Sequence, residues 1–127
     1  MRGSGGKPSP ERQGGRASER GRRKPTKEEL RHLVERATVD CYNESEQVTG
    51  LYTMIEEYLA VPFQTSVLGV VVTVEMVDLT DAEEIVVVCR REGVGQRIAI
   101  LDLALPDPPP EGWVWIEAYR YWDRGGP

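Results

Sequence analysis

The sequence predicts one small α+β domain, and three observations point to it. Apolar residues recur at helical period from Leu30 to Leu59. Strand-like runs rich in β-branched residues follow from Gly69 to Leu103, and the composition changes sharply near residue 27. An N-terminal helix or helix pair on a small antiparallel sheet of three to five strands, closed by a short C-terminal helix, satisfies all three. Short, curved strands would also suit a barrel-like sheet. The expected organisation is a disordered basic tail over 1–26 and a single α+β domain over 27–124.

Residues 1–27 contain Gly, Ser, Pro, Gln and nine Lys or Arg, with Met1 and Ala17 as the only apolar side chains. Such a segment cannot bury enough surface to offset its ordering entropy. Pro25, Thr26 and Glu29 then read as a helix start, with Thr26 as N-cap and Glu29 closing a capping box. Counted at about 100° per residue, Leu30, Leu33, Val34, Ala37, Cys41, Val48, Leu51, Tyr52, Ile55 and Leu59 share one face. Asn43 with Glu46 repeats the start signal. Two options therefore stand: one helix from 27 to 59, or two helices broken near 39–42.

Gly69 to Leu79 alternates Val70, Val72, Val74 and Met76 against Val71, Thr73, Glu75 and Val77, the period of a strand. Ile85–Arg91 is a second strand. Glu92 to Gly95 reads as a tight turn into a third, Gln96–Leu103, pairing as a hairpin. Pro106 and Pro108 to Pro110 end the sheet, since proline cannot donate to a ladder. Glu111 to Trp122 reads as a helix with Trp115, Ile116, Tyr119 and Trp122 on one side.

Charge divides at the same boundary. Residues 1–27 hold nine basic and two acidic side chains, a net of +7; of the chain's 16 basic and 21 acidic residues this leaves 7 and 19, so the body carries −12. An acidic body attracts cations and repels nucleic acid, except through the tail. No apolar segment follows the basic N-terminus as a secretory signal would require, and no run approaches the roughly 20 residues that span a bilayer. A cytoplasmic protein without membrane contact is expected. Cys41 and Cys89 form no CxxC and are read as reduced core residues.

No P-loop, GxGxxG, HExxH or GxSxG motif is present. His32, the only histidine, falls in a charged helix and is about 13 Å along that helix from Cys41, too far for a nucleophile pair. Enzymatic activity is not expected. What remains is carboxylate, and calcium accepts six to eight mixed oxygen ligands. Loops read from Asp78 or Asp81 lack the glycine and ligand spacing of an EF-hand. Any ligands must come from separate segments.

Three acidic groups qualify. In the first, Glu44 and Ser45 interrupt the apolar stripe, where an inward-facing carboxylate must be paired or bound to a cation. Asp40 lies one turn before Glu44, and Glu46 lies beside it. The second is Asp78, Asp81, Glu83 and Glu84, a turn between strands. The third, Glu56 with Glu57, lies on the polar side.

The stretch Asp40-Cys-Tyr-Asn-Glu44-Ser-Glu46-Gln47, followed by Gly50, Tyr52, Glu56, Leu59, Pro62 and Phe63, resembles the helix of the cyanobacterial CcbP type of calcium-binding protein. Leu68-Gly69, Cys89-Arg90-Arg91, Asp102-Leu103 and Trp115-Ile116-Glu117-Ala118-Tyr119 fit the same layout, so the resemblance covers about 37–122. It implies a small α+β protein that binds calcium reversibly, as a buffer or regulator of free calcium. Carried over residue by residue, it favours Asp40, Glu44, Glu46 and Glu56. The sequence departs from the pattern at Thr53, Met54 and Ile55, where further aromatics would be expected.

The expected function is non-enzymatic calcium binding through surface carboxylates. The alternative is a protein- or nucleic-acid-interaction module using the tail and an exposed aromatic helix bearing Trp113, Trp115, Tyr119, Tyr121 and Trp122.

Overall fold

A computed structural model describes residues 23–126. Most of the expected basic tail, residues 1–22, lies outside the described residues. The first helix, α1 (Lys27–Ala37), starts where its capping box places it. The Glu29 amide donates to the Thr26 hydroxyl at 3.1 Å, and the Thr26 amide donates to the Glu29 carboxylate at 2.9 Å. Arg23 adds an ion pair to Glu29 at 3.3 Å.

The chain then breaks, and two helices form rather than one. Asp40 adopts a left-handed φ of 65°, and Asn43 caps α2 (Glu44–Tyr58) by accepting from the Glu46 amide at 2.8 Å. Both caps satisfy amides that would otherwise be orphaned. The two helices meet closely at Gly50, where an added Cβ would lie 2.1 Å from the Ala37 carbonyl oxygen. Glycine is required there because backbone occupies the space of a side chain.

Four strands follow: β1 (Phe63–Val67), β2 (Val70–Leu79), β3 (Ile85–Arg91) and β4 (Val94–Ala99). They pair as an antiparallel meander in the order β1-β2-β3-β4. The sheet is open, with β1 and β4 as edges, and does not close as a barrel. Leu68-Gly69 and Glu92-Gly93 make the two tight turns with all four φ values positive, as two-residue hairpin turns require. The second turn is thus shorter than the sequence predicts. It lets β4 begin at Val94, and Ile100–Asp102 winds into a 3-10 turn where the strand was expected to continue.

A bulge corrects the alternation expected in β2. Val74 pairs with Cys89 and Met76 with Val88, leaving Glu75 as the extra residue. Beyond it the inward set changes phase. Val77 enters the core, whereas Met76 is exposed. An extra residue costs one ladder position but keeps an acid and a flexible thioether out of the interior.

The last helix, α3 (Val114–Asp123), packs on α1 and α2, and α2 lies against β2, so the helices form a layer on one face of the sheet. Leu51, Ile55, Val74, Val87, Ile100 and Ile116 are fully buried between the layers. Each such side chain contributes about 1.5–3 kcal/mol on burial. Trp115, Tyr119 and Tyr121 belong to the same core. Trp115 stacks on Tyr58 at 6.0 Å and carries the Arg36 guanidinium 5.3 Å above its ring. Among the described residues no helix is long and apolar enough to cross a membrane.

Candidate functional site

The break between α1 and α2 decides where the expected ligands fall. Glu44 is the first residue of α2 and is exposed, so it faces solvent at the positive end of a helix rather than the core. Asp40 lies in the connecting turn, not one helical turn below Glu44. The two carboxylates therefore do not share a helix face. Glu46 is committed to the cap, where its carboxylate accepts from the Tyr42 amide at 2.6 Å. Cys41 departs from the apolar stripe as well: it is half-buried, and its thiol donates to the Glu46 carbonyl at 3.4 Å.

One long-range contact links the first two acidic groups. The Ser45 hydroxyl donates to the Glu83 carboxylate at 2.5 Å, holding the start of α2 against the β2–β3 turn. Glu83 reaches it from a left-handed backbone conformation of φ 64°, in a turn where the Glu84 amide donates to the Thr80 hydroxyl at 3.1 Å. Glu44 lines a shallow depression together with Asp123, at the end of α3. Gln47 and Trp122 form its other wall, the indole donating to the Gln47 amide oxygen at 3.0 Å. Carboxylates from three elements thus lie along one seam: Glu44 on α2, Glu83 and Glu84 on the turn, and Asp123 on α3. Asp81 is exposed on the same turn.

Tyr119 registers this seam from the protein side. Burial pushes its phenol up, Asp123 and Glu84 push it further, and an opposing hydrogen bond from the Ile85 amide restrains it.

A second acidic pair forms around Tyr52. Its phenol is raised by burial, then by the charges of Glu56 and Asp78. Asp78 is not free to serve a cation, because Arg97 holds it at 2.6 Å. That bond, with the Leu79 amide at 2.9 Å, keeps its carboxyl below the usual range. Glu56 remains exposed beside Tyr52.

Among the described residues no group of three or more carboxylate, thiol and imidazole side chains is arranged to hold a metal ion. His32 is a surface residue between Glu28 at 3.3 Å and Glu35 at 3.7 Å. Cys89 is buried, which raises its thiol and keeps it protonated at neutral pH. The sequence marks Ser45 as a break in the apolar stripe but not as a partner of Glu83, and it does not mark Asp123 at all. Only tertiary contact brings Ser45 to the turn acids and Asp123 into the depression beside Glu44. Comparison with protein-family models, with curated proteins and with solved structures gives no match.

Proposed function

We propose that this protein binds calcium weakly and reversibly along the seam between α2, the β2–β3 turn and the end of α3, as a buffer or regulator of free calcium. The observation that carries the reading is the Ser45–Glu83 hydrogen bond, which holds two acidic segments together across 38 positions of sequence. In this reading Glu83 exchanges a hydroxyl partner for a cation, and Glu44, Glu84 and Asp123 add charge around it. Glu46 and Asp78 are left out, since a cation would first have to displace the Tyr42 amide or Arg97. The acidic balance of the body and the resemblance over 37–122 point the same way.

Ligands that must rearrange, rather than a rigid cage, belong near the weak end of calcium affinities, about 10⁻⁴ to 10⁻³ M. Part of the binding is field attraction and is screened at about 150 mM salt, where the Debye length is roughly 8 Å. Calorimetry at that salt should show calcium heats in the high micromolar range and weaker magnesium heats. Glu83→Gln with Glu44→Gln should abolish them, whereas Asp40→Asn should not. An absence of calcium heat up to millimolar concentrations, or equal binding of magnesium, would end the specific-site reading.

A further inference from the structure

The helix layer covers only part of the inner face of the sheet. Toward the hairpin tips the inward positions of all four strands continue past it: Val67 on β1, Val70 and Val72 on β2, Arg91 on β3, and Val94, Gln96 and Ile98 on β4. They wall a groove of about 450 Å³, a volume within the range of small-molecule sites. Val70 is 39% exposed and Val94 70% exposed.

The groove walls are mainly aliphatic, with Gln96 as their polar side chain, and hold no aromatic ring to stack on a planar ligand. Its charge is concentrated at one rim. Arg91 shares the face of Cys89, two residues earlier in β3, and so belongs to the groove side. Its ion pair with Glu92 is long, at 3.9 Å, and both side chains are more than half exposed. Arg90 points the other way, held by Glu75 at 2.9 Å across the outer face and packed over Gly95. Of the two arginines lining the groove, Arg90 is committed to Glu75 and Arg91 is only loosely paired with Glu92, so an alkyl chain ending in an anion can exchange for Glu92 at the mouth.

We propose that this groove binds a free aliphatic carboxylate, a medium-chain fatty acid or similar amphiphile, with its chain along Val67, Val72 and Ile98 and its carboxylate at Arg91. At physiological salt, charge beyond roughly 8 Å is screened, so Arg91 governs the anion locally. The site is separate from the acidic seam and does not depend on calcium.

Amide NMR of the full chain with submicellar decanoate tests the proposal. Decanoate should shift amides in Val67–Val72 and Cys89–Ile98, while decyltrimethylammonium at the same concentration should not. Arg91→Gln should weaken decanoate binding about tenfold, the scale of a lost charge-assisted contact. Val70→Asp should abolish it; the position is already solvent-accessible, so the fold should survive. Equal shifts from both amphiphiles, shifts confined to the N-terminal segment, or retained binding by Val70→Asp would overturn it. So would shifts of the groove amides on dilution without decanoate, which would assign the face to a second copy.

Discussion

The two halves of the inner sheet face carry the same kind of sequence and end in opposite environments. In one half, Val74, Val77, Val87 and Ile85 meet Leu51 and Ile55 from α2 and Ile116 from α3, and all are buried. In the other half, Val72 packs at the margin of the core, and Val70 and Val94 continue the alternation past it into solvent. Alternation reports which side of a sheet is meant to be dry. It does not report how far the covering layer extends, because that is fixed by helix lengths and by where the connections let the helices lie.

The sharpest test of this contrast is truncation on each side of it. Ile55→Ala empties a fully buried position and should cost about 3–4 kcal/mol in urea unfolding. Val70→Ala should cost no more than about 0.5 kcal/mol, since the position is largely solvated. Comparable losses at both sites would mean that the groove is structurally part of the core.

Gly50→Ala probes what positions the covering layer. With the Ala37 carbonyl where the new Cβ must go, α1 and α2 have to separate, and a loss of about 1–3 kcal/mol is expected by thermal or urea unfolding.

A smaller effect appears with pH. Tyr119 and Tyr52 have raised phenols, so the stability they contribute is present below the ordinary tyrosine value, about 10, and is lost as pH rises through their folded values. Unfolding midpoints should therefore fall above about pH 10. On the acid side the sign reverses. Asp78 and Glu29 are depressed, so their contribution is present above the ordinary carboxylate range, about 4, and fades as pH drops through their folded values. Arg97→Gln should remove the Asp78 part of that acid dependence, a slight change because the pair is solvent-exposed.

Much of this architecture was legible in the sequence. The Thr26–Glu29 and Asn43–Glu46 signals mark both helix starts, and the β-branched runs mark β2 and β3. The first strand was not legible. Phe63–Val67 is short, half polar and follows Pro62, and its buried Thr65 is tolerated only because the hydroxyl donates to the Ala104 carbonyl. The bulge at Glu75 was hidden for a different reason, since it is a property of the pairing with β3 rather than of β2 alone. At the candidate site, phase counting across 39–42 assumed an unbroken helix and turned Glu44 inward; the left-handed Asp40 and the second cap place it in solvent. Glu83 and Glu84 stand out in the sequence as an acidic turn, but no local pattern announces that this turn meets the start of α2, or that Asp123 lies beside Glu44.

The meander has a consequence for the order in which the protein assembles. Every strand pairs with its neighbour in the chain, so the sheet can form from contacts between adjacent segments. By contrast, α1 finds its partner in α3, from the other end of the described chain. Closing so long a loop is entropically slower than forming a hairpin. The helical cover is therefore expected to dock late, on a sheet already paired, and to open first. Native-state hydrogen exchange should show it as weaker protection in α1 than in β2 and β3.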